Sequence, residues 1–95
     1  MITVTGPLWL WTGESGSWHF FTVPDEQSNE IRAHCLAMLR GFKSARVEAT
    51  INDVTWHTSV FPMKSGGYLL PVKADVRRKT GIAAGDEITV SLELL

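Results

Sequence analysis

The segment from Tyr68 to Leu92, YLLPVKADVRRKTGIAAGDEITVSL, decides the fold because its turn signals divide it into short elements. Tyr68–Val72 is an apolar run typical of a buried strand, and a short helix is predicted over Ala74–Thr80, ending at the glycine that follows. Gly85-Asp86 then reverses the chain before Glu87–Leu94, where apolar and polar residues alternate. This segment therefore predicts strand, helix, turn and half-buried strand.

A hairpin is predicted around Asn52-Asp53, because both residue types tolerate positive φ and suit a tight two-residue turn. Its strands are Ala45–Ile51 and Val54–Phe61. Counting outward from the turn places Glu48 opposite His57. The face predicted to join the core carries Val47, Ala49, Ile51, Val54, Trp56 and Val60. The face predicted to meet water carries Arg46, Glu48, Thr50, Thr55, His57 and Ser59.

The first half of the chain predicts a second hairpin and a longer helix. Leu8–Thr12 is a short aromatic strand, and Trp18–Val23 follows a loop rich in glycine and serine. Asp25 is placed to cap a helix over Glu26–Arg40, and Gly41 is placed to end it.

These elements amount to six short strands and two short helices in 95 residues, a length that suits a single domain over residues 1–95. A flat sheet of this size would leave long exposed edges. We therefore expect a mainly β fold, a small closed or nearly closed β-barrel made by one chain. WHFFTVPDEQSNEIR from Trp18 and YLLPVKADVRR from Tyr68 share an order of aromatic, apolar, proline and acidic residues, which suggests two related halves.

Charge and cysteine content narrow the classes of protein. Nine basic and ten acidic residues give a net charge of −1, which argues against nucleic-acid binding through a positive field over the whole surface. Cys35 is the single cysteine, so no intrachain disulfide forms. The N-terminal residues do not resemble a secretory signal, and no apolar run is long enough to span a bilayer. These features predict a cytoplasmic protein without a membrane partner.

The dense basic cluster of the chain comprises Lys73, Arg77, Arg78 and Lys79 on the second predicted helix. Four cations on a helix could neutralise phosphates of a nucleic acid. The competing interpretation is a solvated helix face with weak local ion pairs, because Asp75 lies within the cluster. Of the four, Arg77 is predicted to be tethered inward.

Two Trp-His pairs, Trp18-His19 and Trp56-His57, are predicted to place each tryptophan in the core and each histidine outside, since neighbours on a strand face opposite ways. His57 opposite Glu48, with Arg46 on the same face, is a possible start for acid/base catalysis. No nucleophile or substrate site accompanies them, so an ordinary cross-strand polar pair is the competing interpretation.

Metal and cofactor sites are not expected. His19, His34, Cys35 and His57 lie on three different predicted elements, and none has the spacing of a metal-binding motif. We therefore predict no cofactor.

Aromatic residues are the remaining candidates for a site. Trp9, Trp11, Phe20, Phe21 and Tyr68 could line the mouth of the barrel and bind a small ligand there. Packing within the core is the alternative use of these side chains.

The quoted motifs resemble the domain-of-unknown-function 1905 family over about Leu8 to Leu94. The matching motifs are G-x-W-H-F at Gly16–Phe20, R-V-x-x-T-I at Arg46–Ile51, K-x-x-V-R at Lys73–Arg77 and G-I-x-x-G-D-x-I-x-V at Gly81–Val90. Where the family commonly has Asn-Gly in the hairpin turn, this chain has Asn-Asp. The resemblance implies a double-split β-barrel and transfers no catalytic residue, because the family has no established activity.

Leu70–Val90 is also similar to the AbrB/MazE/SpoVT swapped-hairpin DNA-binding class. In that class two chains interleave to make the barrel, whereas here one chain supplies both halves. Those proteins often carry Arg and Lys near the start of the segment, where this chain has Lys64, Ser65, Gly66, Gly67 and Tyr68.

Together these features favour a non-enzymatic module that binds a small ligand or a protein. The alternative is a nucleic-acid-binding regulator that uses the helix at residues 73–79, and a more remote one is an enzyme that uses His57 and Glu48. The sequence specifies neither the ligand nor the partner.

Overall fold

A computed structural model describes residues 1–37 and 44–95. Over these residues the elements are β1 (Ile2–Gly13), β2 (Gly16–Val23), α1 (Asp25–Ala37), β3 (Ala45–Ile51), β4 (Val54–Pro62), β5 (Tyr68–Pro71), α2 (Ala74–Thr80) and β6 (Glu87–Leu94). The strands pair antiparallel and close into a barrel in the order β1-β2-β5-β4-β3-β6. The predicted mainly β, single-chain barrel is confirmed.

The pairing order has an internal two-fold relation. Exchanging β1, β2, α1 and β3 with β4, β5, α2 and β6, in that order, leaves every strand pairing unchanged. One chain thus supplies both halves of the barrel, and β2 and β5, which carry the shared sequence order, pair with each other.

Side chains from alternate strand positions fill the barrel interior. Leu8, Phe21, Leu70 and Val90 are fully buried there. The ring of Phe21 packs against Gly6, where an added Cβ would lie 3.4 Å from it. The strands therefore contribute their inward residues to the apolar core, as their period of two requires, and Ile31, Cys35 and Val76 of the two helices complete it.

The β3–β4 hairpin has the predicted register from Ile51 opposite Val54 to Arg46 opposite Ser59. Asn52 and Asp53 have φ values of 47° and 66°, as a tight primed turn requires. The Asn52 side-chain amide donates a hydrogen bond to the Thr80 carbonyl oxygen at 3.0 Å. The turn therefore also anchors the C-terminus of α2.

The glycine turns are also where the sequence predicts them. Gly81 has φ 73° and donates its N–H to the Arg77 carbonyl oxygen at 2.9 Å, which ends α2. Gly85 donates to the Leu8 carbonyl oxygen at 2.8 Å, and the Leu8 N–H donates to the Asp86 carbonyl oxygen at 2.9 Å. These bonds hold the start of β6 against β1.

Several boundaries in the first half differ from the prediction, and β2 for example starts at Gly16 rather than Trp18. β1 starts at Ile2 rather than Leu8, because residues 2–7 pair with β6, up to Pro7 opposite Glu87. Asp25 is the first residue of α1 rather than the residue before the helix, and Ser28 donates its N–H to the Pro24 carbonyl oxygen at 2.8 Å. The predicted helix end at Arg40 and Gly41 lies outside the described residues.

Candidate functional site

Aromatic side chains cover the outside of the barrel where β1 and β2 pair. Trp11 lies opposite Trp18 and Trp9 opposite Phe20, with ring centroids 5.2 Å and 5.3 Å apart. Phe61 of β4 extends the same outer surface beyond β5, since it pairs with Leu69. Trp11, Trp18 and Phe61 are 45%, 43% and 48% exposed. We call the outer surface formed by these five aromatic residues the aromatic face.

Local contacts fix the positions of two of these rings. The Trp9 indole N–H donates to the Thr22 hydroxyl oxygen at 2.8 Å. The ring of Trp11 lies over Gly13, where a Cβ would overlap with it. These two rings of the aromatic face are therefore positioned by contacts within the β1–β2 hairpin, outside the core.

A groove of about 500 Å³ lies on this outer surface. β5 lies between β2 and β4, and its outward residues Leu69 and Pro71 meet Phe20 of β2 and Phe61 of β4. The lining consists of Trp18, Phe20, Phe61, Leu69, Pro71 and Lys73. We call this depression the aromatic groove; among the described residues, Lys73 is the single charged one that lines it.

A second depression, of about 250 Å³, lies between β2 and the start of α2. We call it the polar pocket. It shares Trp18, Pro71 and Lys73 with the aromatic groove and adds His19 and Arg77, among other residues. The Val72 N–H donates to the His19 carbonyl oxygen at 3.0 Å, which holds the chain entering α2 beside β2. The two depressions are therefore adjacent and share a wall.

Arg77 donates a hydrogen bond from its guanidinium to Nδ1 of His19. Nδ1 can accept only in an uncharged imidazole with its proton on Nε2. Burial, and then the charge of Arg77, lower the pKa of His19 below its usual value, which agrees with that neutral form. His19 therefore acts as a neutral acceptor that orients Arg77.

Among the described residues, the cations of the polar pocket have no acidic partners. Within residues 1–37 and 44–95, one ion pair shorter than 4 Å occurs, and it joins His57 to Glu48. Neither Lys73 nor Arg77 has a carboxylate within that distance in the described part of the chain. The local ion pairs that the sequence suggested for α2 are thus not present among these residues.

The aromatic candidates fall into two groups. Trp9 and Trp11 lie on the aromatic face, but Phe21 and Tyr68 are buried in the core, with 0% and 1% exposure. The placement of these last two at a barrel mouth is therefore wrong. Each points inward because its strand neighbour, Phe20 or Leu69, points outward.

The two Trp-His pairs also differ from each other. Trp56 packs against the core with His57 outside, as predicted. Trp18 is instead exposed, and His19 is on the inward side of β2, because the buried Phe21 sets the parity of that strand. The prediction of a buried Trp18 is wrong. The alternation of inward and outward residues, counted from Phe21, was the signal that could have placed Trp18 outside. Apolar residues on both faces of β2 obscured this alternation.

The basic cluster divides in the same way. Arg77 is turned toward His19, in line with the prediction that it is tethered inward. Lys73 lines both the aromatic groove and the polar pocket. Arg78 and Lys79 are exposed and line neither depression.

The proposed acid/base residues form a surface pair. His57 Nε2 lies 3.0 Å from Glu48 Oε2, and the side chains are 58% and 44% exposed. In the described part of the chain no side-chain hydrogen bond joins Arg46 to either residue. None of the three lines the aromatic groove or the polar pocket.

Cysteine and metal chemistry have little structural basis in the described ranges. Outside residues 38–43, no group of three or more His, Cys, Asp or Glu side chains is arranged to hold a metal ion. Cys35 is a free, buried thiol. Burial, and then the neighbouring Cys35, raise the pKa of Tyr68. Neither of these buried groups reaches the aromatic groove.

The fold and site define a small closed β-barrel with an aromatic outer groove. The sequence matches the family model described as "Domain of unknown function (DUF1905)" over residues 5–92, and the chain belongs to this family. No curated protein matches the chain. No helix in the described ranges has the length and apolar character needed to cross a membrane.

Proposed function

We propose that this protein is a non-enzymatic binding module that holds an apolar small molecule in the aromatic groove. The observation that carries the proposal is the exposure of Trp18 and Phe61, nearly half of each side chain, at the groove. The core is already formed by the inward faces of the same strands. Contiguous exposed apolar surface of this kind marks binding sites more often than structural necessity.

The volume and lining of the groove support a small ligand. A volume of about 500 Å³ falls within the range of about 300 to 1,000 Å³ that is usual for small-molecule sites. Its walls are rings that can stack on a planar or branched apolar body, and Lys73 adds a polar group at one end. A protein partner on the aromatic face is the alternative within the same class of function.

A regulator of AbrB-like type that binds nucleic acid is the second candidate, because Arg78 and Lys79 are exposed cations on α2. Two features weigh against it. Arg77 is directed to His19, and the net charge of the chain is −1. A catalytic role for His57 and Glu48 has less support, since the pair lies outside both depressions.

We also propose a bacterial cytoplasmic location. The support is the single cysteine, which is buried in the core and needs no oxidising compartment.

The proposal is tested by nuclear magnetic resonance titration with the uncharged probe naphthalene-1-acetamide. Of the four tryptophan indole N–H signals, those of Trp9, Trp11 and Trp18 report on the aromatic face, and that of Trp56 reports on the core. We expect a saturable shift at Trp18 and little change at Trp56, which packs against the core. Trp18→Ala should weaken binding, followed through backbone amides, by about fivefold or more, since stacking on a ring is worth about 1 kcal/mol.

Leu36→Ala is the matched control, because Leu36 is exposed on α1 and lines neither depression. Binding unchanged in Trp18→Ala, or lost equally in the Leu36 variant, would refute the groove as the site. A mixed-sequence single-stranded oligonucleotide tests the alternative. Tight binding that falls steeply with salt and weakens in Arg78→Ala would replace our proposal with nucleic-acid recognition.

A further inference from the structure

We infer that the ligand is an organic anion whose apolar body lies in the aromatic groove and whose carboxylate, or a similar acidic group, enters the polar pocket beside Arg77 and Lys73. The inference rests on the proposed function and names the chemical class of its ligand.

Contiguity of the two depressions is the first step. Trp18, Pro71 and Lys73 line both, so a molecule lying on the aromatic groove reaches the polar pocket by extending over these shared residues. The groove offers rings and aliphatic side chains, whereas the pocket adds the Arg77 guanidinium and the Ser17 hydroxyl. An occupant of both would need an apolar part and a polar part.

The charge of the polar pocket determines which charge the polar part of the ligand should carry. Lys73 and Arg77 both line it, and neither has a carboxylate within 4 Å in the described part of the chain. His19, the titratable neighbour of Arg77, is an uncharged acceptor there. The pocket therefore presents two positive charges that an anion would complement.

The state of Arg77 favours a carboxylate in particular. Its bond to Nδ1 of His19 is its one side-chain hydrogen bond among residues 1–37 and 44–95. A guanidinium has five N–H donors in a planar fork, so donors remain for a carboxylate. Because His19 orients Arg77 toward the pocket, Arg77 is better placed than its neighbour Arg78, which is exposed and lines neither depression.

A polymeric anion fits these observations less well. Binding of single-stranded nucleic acid uses a positive groove that follows the backbone over several nucleotides. Here the aromatic groove is apolar apart from Lys73, and the second positive charge, Arg77, lies in the adjoining polar pocket. One acidic group on an apolar body matches that arrangement.

Two probes of equal shape and different charge test the inference on the full chain. Naphthalene-1-acetate carries a carboxylate where naphthalene-1-acetamide carries a neutral amide. We expect the acetate to bind about two- to fivefold more tightly than the amide, a range typical of a partly exposed charge pair. Arg77→Gln should remove most of this preference, because the acetate loses more affinity than the amide when the charge is lost.

Arg78→Gln removes the same charge from the next residue of α2 and should keep the preference. Lys73→Gln, at the other side of the pocket, should reduce it in part, and circular dichroism verifies that each variant is folded. Equal affinities for the two probes, or a preference lost equally in both arginine variants, would overturn the inference and leave groove binding in place. If neither probe binds, the proposed function falls as well.

Discussion

Two outer surfaces of the same barrel differ sharply in chemistry. Outside β3 and β4, polar side chains pair across the strands, as Thr50 does with Thr55 at 2.9 Å between hydroxyl oxygens and Glu48 with His57 at 3.0 Å. Outside β1 and β2, the corresponding positions hold tilted aromatic pairs such as Trp11 and Trp18. An antiparallel barrel needs apolar residues only on its inner face. The aromatic face is therefore not required by the core, and we propose that it serves to bind a ligand.

The largest expected effect is the difference in unfolding free energy between substitutions on the inner and outer faces of β2. Phe21→Ala should lower the free energy of unfolding by about 3 to 5 kcal/mol, because the ring is fully buried against Gly6. Phe20→Ala removes the same group from the outer face and should cost about 1 kcal/mol, the value of its pairing with Trp9. Urea unfolding measures both. Similar losses would mean that the outer ring is part of the stabilising core.

A smaller effect is expected from Gly13→Ala, because the new Cβ would displace the Trp11 ring from its place over Gly13. We expect the near-ultraviolet circular dichroism of the Trp11–Trp18 pair to weaken and stability to fall by about 1 kcal/mol. Ser15→Ala in the same loop is the control. An unchanged aromatic spectrum in the Gly13 variant would show that the loop does not order the aromatic face.

The pH dependence of stability that His19 causes tests the contact between His19 of β2 and Arg77 of α2. Burial and Arg77 lower the pKa of His19 in the folded state below the unfolded value of about 6.5. The unfolded chain then binds this proton more readily, so the stabilising contribution is present above about pH 6.5 and is lost as the pH falls through the folded pKa.

Histidine ring signals followed by nuclear magnetic resonance measure this value directly. We expect the pKa of His19 to lie below 6.5 and to move toward that value in Arg77→Gln, which removes the neighbouring charge. His19→Asn keeps an acceptor near Arg77 and should remove this part of the acid sensitivity. A pKa at or above 6.5 in the unaltered protein would contradict the neutral His19 that orients Arg77.

The smallest effect is expected on the polar side of the comparison. His57→Gln removes an exposed pair with Glu48 and should change the free energy of unfolding by no more than about 0.5 kcal/mol. Calorimetric titration should show unchanged affinity for naphthalene-1-acetate, since His57 lines neither depression. A marked loss of affinity would indicate that the ligand binds near β3 and β4 instead.

Local turn chemistry explains what the sequence could predict. Asn52-Asp53 fixes the β3–β4 register, and Gly81 and Gly85-Asp86 fix the end of α2 and the start of β6. Each prediction depends on residues close together in sequence, whose φ preferences are known. The closed barrel follows from these elements together with the need to protect strand edges.

The site was harder to predict for two physical reasons. On β2 both faces are apolar, so alternation alone did not distinguish inward Phe21 from outward Trp18. The contact between His19 and Arg77 joins residues 58 positions apart, and no local pattern encodes it. The sequence indicated that Arg77 turns inward, but its partner became visible only in the folded chain.

The most direct test of the central claim is a chemical-shift map of all assigned backbone amides during titration with naphthalene-1-acetate. We predict saturable shifts in β2, β5, the amide of Phe61 and the first turn of α2, with the outer residues of the β3–β4 hairpin unchanged. Shifts centred on His57 and Glu48, or no saturable shift anywhere, would contradict the claim that the aromatic face is a binding surface.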